Sequence, residues 1–123
     1  MQWGGVVSDD VKKGDRPYDG IRIARVLRDV ANERASQHAQ WGDQSWRPYG
    51  DAYTAQWGAD IEARARMIND KLEQWTWASI LAEEVGEAMT EDDPAQLRAE
   101  LVQVAAVAVA WIEAIDMREG ENE

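Results

Sequence analysis

The sequence predicts an all-α fold, a four-helix bundle, on three observations. Apolar residues recur at helical spacing in four successive segments. Two of those segments open on good N-caps, Thr76 and the Asp93-Pro94 pair. From Leu101 to Ile112 the only polar side chain is Gln103, a composition that belongs to a helix buried on most sides.

Taken in order, residues 1–18 read as an irregular lead-in, with glycines, Ser-Asp-Asp and Arg-Pro and no sustained period. Trp3, Val6 and Val7 could dock on the body. The all-α domain is expected over residues 19–117, followed by a frayed acidic tail over 118–123. The first helix should run from Asp19 to about Gln40. Its stripe is Ile21, Ala24, Leu27, Ala31 and Ala35, widened by Ile23, Val26 and Val30, and Glu33, Arg34, Gln37, His38 and Trp41 lie at its far end. Trp41 to Tyr53 reads as loop, punctuated by Gly and Pro with Trp and Tyr interleaved. Those aromatics either cover the open end of a helical bundle or form a lid that stacks on a nucleobase. The second helix should span about Ala55 to Glu73, with Ile61, Ala65, Ile68 and Leu72 inward and Asp60, Glu62, Arg64 and Arg66 outward. Asn69 and Lys71 close it.

The third helix starts after Thr76, whose hydroxyl can accept from a first-turn N–H, with Trp75 and Ile80 spaced as a hydrophobic staple. It should end near Met89 or Thr90. Asp93 then caps the fourth, Pro94 takes the first helical position, and the Gln96 side chain can bond back. The two make a helical hairpin.

Composition bounds the function. The chain has 123 residues, a formal charge of −11, no Cys, no Phe and seven Trp. That length carries one domain with a real core. The lack of Cys excludes a disulfide scaffold and thiolate metal sites and fits a reducing cytosol. The acidic balance leaves no basic surplus for nucleic acid. The Leu101 to Ile112 run is too short to span a bilayer, and no N-terminal run has signal-peptide form, so no membrane partner and a cytoplasmic location are expected.

The chemistry lies on the hairpin. At roughly 100° per residue, Trp77, Leu81, Val85 and Ala88 form the apolar stripe of the third helix. Glu84 lies at its edge, Glu87 a little further round and Glu83 further still. On the fourth helix the stripe is Leu97, Leu101, Val104, Ala108, Trp111 and Ile115, with Glu100 bordering it and Gln103 one turn on, on the side of Val107; set in a helix apolar almost all round, both are expected to point inward. Carboxylates are rarely buried unless paired or bound to a metal. An oxygen-only ligand set of this kind suits magnesium or manganese. Arg34, Lys71 and Arg98 are candidate phosphate contacts, and one His without Cys makes no usual zinc site.

Glu83-Glu84-x-x-Glu87, a spacer, and Glu100-x-x-Gln103 together resemble the motif of the MazG-like all-α nucleoside triphosphate pyrophosphohydrolases, E-E-x-x-E followed by E-x-x-D. The wording from Glu100 to Glu113 is similar to versions carried by bacteriophages and some actinobacteria. Upstream, Glu33-Arg34, Gln37 and Gln40-Trp41-Gly42 resemble the N-terminal helix of the same versions, so the likeness covers about residues 28–117. One position departs: the family ends its motif with Asp, and this chain has Gln103.

The resemblance implies hydrolysis of a nucleoside or deoxynucleoside triphosphate between the α and β phosphates, giving a monophosphate and pyrophosphate. It makes Glu84, Glu87 and Glu100 the ligands of Mg2+ (or Mn2+), with Gln103 in place of the fourth, and Glu83 a catalytic group that orients water. Arg34, Gln37, Trp41, Trp46 and Lys71 become the substrate-binding residues. It also implies a homodimer or a dimer of dimers, which the apolar Leu101 to Ile112 helix independently favours. Two alternatives stand beside it. The Gln103 departure fits a nucleotide-binding sensor or sequestering protein of the same fold, and Trp41, Trp46 and Trp57 could form a partner surface.

Overall fold

The computed structural model describes Gly14 and residues 16–121. Most of the lead-in, including Trp3, Val6 and Val7, lies outside the described residues, as do the last two positions of the tail. The described residues form four helices and no strand: α1 (Gly20–Trp41), α2 (Ala52–Lys71), α3 (Trp77–Thr90) and α4 (Pro94–Glu121). None is long and apolar enough to cross a membrane.

Each start is written locally. Asp19 caps α1 by accepting from the backbone N–H groups of Ile21 and Arg22. Asp51 and Thr54 form a reciprocal capping box that starts α2 three residues earlier than periodicity suggests, so the preceding loop is shorter than expected. Thr76 caps α3 as predicted, with Ser79 supplying the reciprocal half of the box. Asp93 accepts from the Gln96 backbone N–H at 2.9 Å. The Gln96 side chain does not bond back; it donates to Glu100 Oε1 at 3.3 Å, and the Glu91 carboxylate takes the Asp93 N–H instead. α1 stops at Gly42, whose φ of 68° is a left-handed value that favours glycine and whose N–H closes on the His38 carbonyl. The tail expected to fray continues α4 as far as Glu121.

The chain falls into two compact units. One contains residues 50–108, the other Tyr18–Tyr49 with α4 from Val109 onward. In the first, α2 and α3 pack face to face, and small residues form the seam. A Cβ on Gly58 would collide with Met89 Cβ, and one on Gly86 would lie 2.7 Å from the Glu62 backbone nitrogen. Backbone therefore approaches backbone where a larger side chain would hold the helices apart. The buried face of α2 runs through Gly58, Ala65 and Asn69, with Glu62 and Leu72 half-buried beside it. This corrects the expected stripe by about one residue: Ala65 is inward, but Ile68 is exposed. On α3 the buried residues are Ser79, Ile80, Glu84, Gly86 and Ala88, while Leu81 and Val85 are half-buried.

On the fourth helix Glu100 and Gln103 turn inward with Val107 as expected, but Leu101 of the expected stripe does not. Val107 is buried and Glu100, Gln103 and Val104 are half-buried, whereas Leu101 and Val102 are about half exposed. The face carrying the polar pair is the inward one. In the second unit Val26 and Ala114 are buried. Ile21, Leu27 and Val30 of the expected α1 stripe are exposed, and so is Ile115. Burial requires a facing surface, and along α1 only Val26 finds a complete one.

Candidate metal centre

Three carboxylates meet inside the first unit. Ligand oxygens of Glu84 and Glu87 on α3 and Glu100 on α4 all lie within 4.8 Å of one another. The spacing explains the convergence: Glu84 and Glu87 are three residues apart on one helical face, and the short turn at 91–93 returns the chain so that Glu100 faces them. Glu84, expected at the edge of the stripe, is instead among the most buried side chains of the protein, 1% exposed.

Its position is costly without a counter-charge. Glu84 Oε2 is buried with no hydrogen-bond partner, as are Glu100 Oε2 and Gln103 Oε1. Each unsatisfied acceptor of this kind costs about 1–3 kcal/mol, more when charged. Burial, followed by the charges of Glu87, Glu100 and Glu83, pushes the Glu84 carboxyl up to about 7. Burial also raises Glu87, with Glu100, Glu62 and Glu83 adding to it and a hydrogen bond to Glu100 favouring its protonated form. Three convergent carboxylates, with buried and unpaired oxygens on Glu84 and Glu100, are a donor set that fits a hard divalent cation. Gln96 holds the other oxygen of Glu100, Oε1, and so fixes that carboxylate's orientation.

Around this trio lies a shell that periodicity did not reveal. Arg66, expected to point outward, turns toward α3 and meets three acids: Glu62 at 3.0 Å, Glu83 at 3.3 Å and Glu87 at 3.7 Å. Charge decides its direction, because a guanidinium four residues from Glu62 and beside two further carboxylates gains more there than in water. Asn69 is buried and donates to the second oxygen of Glu83 at 3.3 Å, while Trp75 donates its indole N–H to the Asn69 carbonyl at 3.0 Å. Glu83 is thus held by Arg66 on one oxygen and Asn69 on the other. Glu62, Arg66 and Asn69 lie on one face of α2 at i, i+4 and i+7, and that spacing was the available signal.

The remaining candidates sit elsewhere in the chain. Lys71 is exposed in the last turn of α2, where a cation complements the helix dipole. Arg98 is exposed on α4. In the second unit, Arg34 donates to the Gln37 side chain at 2.8 Å and Gln37 to Glu33 at 3.5 Å, a row along α1. Trp41 and Trp46 are exposed. The loop around them is held by its own bonds: Gln44 donates to the Trp41 carbonyl, Trp46 Nε1 to the Asp43 carbonyl, and the Arg47 guanidinium lies 4.8 Å from the Trp46 ring centre. His38 is exposed. Comparison with protein-family models, with curated proteins and with solved structures returns no match to this chain.

Proposed function

We propose that this chain is a magnesium-dependent nucleoside triphosphate pyrophosphohydrolase of the MazG-like all-α type, with manganese able to replace magnesium. The observation that carries the reading is the convergence of Glu84, Glu87 and Glu100 with a buried, unpartnered oxygen on Glu84. Those three carboxylates and the Gln103 carbonyl would hold the ion. When bound, a divalent cation neutralises the phosphate chain and acidifies water for attack on phosphorus. Glu83, held by Arg66 on one oxygen and Asn69 on the other, would be the base that orients that water. Under this reading Arg34, Gln37, Trp41, Trp46 and Lys71 would be the substrate contacts; Trp41 and Trp46 are exposed, and a Trp face can stack on a base.

The same reading carries a cytoplasmic protein, in the host cytoplasm if phage-encoded, that assembles as a homodimer or a dimer of dimers. The exposed Leu101 and Val102 on α4 favour assembly. Incubation with a panel of nucleoside and deoxynucleoside triphosphates and magnesium, read as pyrophosphate release, tests the activity directly. Appearance of monophosphate and pyrophosphate in equal amounts is expected, and orthophosphate as the sole product would refute cleavage between the α and β phosphates.

A second reading has its own observation. Gln103 gives the site a neutral oxygen where the family motif has a carboxylate. Tight nucleotide binding with no pyrophosphate release would favour a sensor or sequestering protein.

A further inference from the structure

Arg66 is held in an arrangement that a bound cation would disturb. Its guanidinium faces Glu62 through Nη1 at 3.0 Å, Glu83 through Nε at 3.3 Å and Glu87 through Nη2 at 3.7 Å. The longest of these ion pairs is with Glu87, which also belongs to the three-carboxylate cluster. The Arg66 side chain is 56% exposed, so solvent and solutes reach it, whereas Glu84 is buried. Its base is fixed: α2 lies against α3 at the Gly86–Glu62 approach, one turn from Arg66.

We infer that Arg66 is the side chain that grips the phosphate chain of the substrate, exchanging Glu87 for a phosphate oxygen once a cation engages Glu87. The inference rests on the metal-dependent reading above. A cation held by Glu84, Glu87 and Glu100 competes with Nη2 for the Glu87 carboxylate, and at 3.7 Å that ion pair is the easiest of the three to break. Glu62 and Glu83 keep the guanidinium in place through Nη1 and Nε. Arg66 Nη2 lies 3.7 Å from Glu87, so a polyphosphate drawn to a cation on that carboxylate would come within reach of the guanidinium. The several fixed N–H groups of a guanidinium let it hold Glu62 and Glu83 and still donate to a phosphate oxygen through Nη2, a geometry that a lysine ammonium cannot reproduce. Arg66 therefore supplies positive charge beside a cluster of carboxylates that would otherwise repel a triphosphate.

The experiment uses the whole chain and inorganic tripolyphosphate, which carries the phosphate chain without a base. Manganese affinity is measured first by calorimetry, then tripolyphosphate affinity at saturating manganese, for wild type, Arg66→Ala, Arg66→Lys and the exposed control Arg64→Ala. Arg66→Ala is expected to bind manganese as tightly as wild type or more tightly, because a neighbouring positive charge is gone. It should bind tripolyphosphate about ten- to a hundredfold more weakly, the scale of charge-assisted hydrogen bonds. Arg66→Lys, which keeps the charge and guards against a folding defect, should fall between, and Arg64→Ala should match wild type. If wild type binds no manganese, the metal-dependent reading fails and this inference with it. If manganese binds and tripolyphosphate affinity is the same in wild type, Arg66→Ala and Arg66→Lys, the metal reading stands and the role of Arg66 is overturned.

Discussion

Gly86 of α3 lies so close to Glu62 of α2 that a Cβ on the glycine would sit 2.7 Å from the Glu62 backbone nitrogen and 2.8 Å from its Cβ. The obstacle is backbone, which cannot swing aside as the end of a side chain can. Gly86→Ala should therefore push the two helices apart. Overpacking of this kind costs about 1–3 kcal/mol, and here it also moves Arg66 relative to Glu83 and Glu87. Urea denaturation of Gly86→Ala should show that loss, with a parallel loss for Gly58→Ala against Met89. Stability equal to wild type in both would mean that the helices have room to spare.

The buried Glu84 makes metal-free stability depend on pH. Its carboxyl is raised to about 7 in the fold from an ordinary 4.5, so the folded state holds the proton more tightly than the unfolded one. The stabilisation is complete below the unfolded value and is lost as pH rises from about 4.5 to about 7. Glu87 is shifted in the same direction and adds to the loss. At about 1.4 kcal/mol per unit, Glu84 accounts for up to about 3 kcal/mol. Chemical denaturation in chelator should show stability falling across that window, and Glu84→Gln should flatten the curve and be more stable than wild type at pH 8. A flat profile in the wild type would mean that the carboxyl is solvated in the fold.

How much of this was legible in the sequence depends on which force sets each feature. Caps follow from a few neighbouring atoms, so Thr76 and Asp93 were readable, as were the four helices. Helix faces were misjudged where size outweighed hydrophobicity. Ala65 and Ala88 face inward as expected, but Ile68 and Leu101 look like core residues and are exposed, while Gly58 and Gly86, which carry no apolar signal, sit where α2 and α3 approach most closely. The carboxylate trio was legible because its spacing is local to one hairpin. The turn of Arg66 toward α3 was not, since Glu83 lies 17 residues away and only the packing of α2 on α3 brings the two together.

Removing one ligand should separate metal binding from folding. Glu87→Ala deletes a member of the trio that is only half-buried, so the fold should survive. Changes one shell out from a metal already cost about ten- to a hundredfold in affinity, and loss of a ligand should cost about a hundredfold or more. Manganese titration, with circular dichroism to monitor the fold, checks both halves. Pyrophosphate release at wild-type rate in Glu87→Ala would place the metal elsewhere.

Leu101 and Val102 are about half exposed within an almost wholly apolar stretch of α4. Proteins rarely leave such a patch to water unless a partner covers it. Light scattering at micromolar concentration should give twice or four times the chain mass, and Val102→Lys should shift it toward the monomer. A stable wild-type monomer would contradict the proposed assembly.

Gln103 sets the charge of the site. Its Oε1 is buried and unpartnered, one turn along α4 from Glu100. With three carboxylates, one divalent ion leaves a single negative charge, whereas a second would leave a positive excess that only a bound triphosphate could offset. One ion should therefore bind the free protein, with a second arriving with the nucleotide. An Asp here would add a charged oxygen where the amide offers a neutral one. Gln103→Asp should tighten manganese binding in the free protein, and should speed pyrophosphate release if wild type is slow. The variant should also lose stability in chelator, since a carboxylate then replaces a buried amide oxygen without a counter-ion. Calorimetry showing two tight sites in the wild type without nucleotide would contradict the charge argument, and weaker manganese binding by Gln103→Asp would mean that the side chain turns away from the ion.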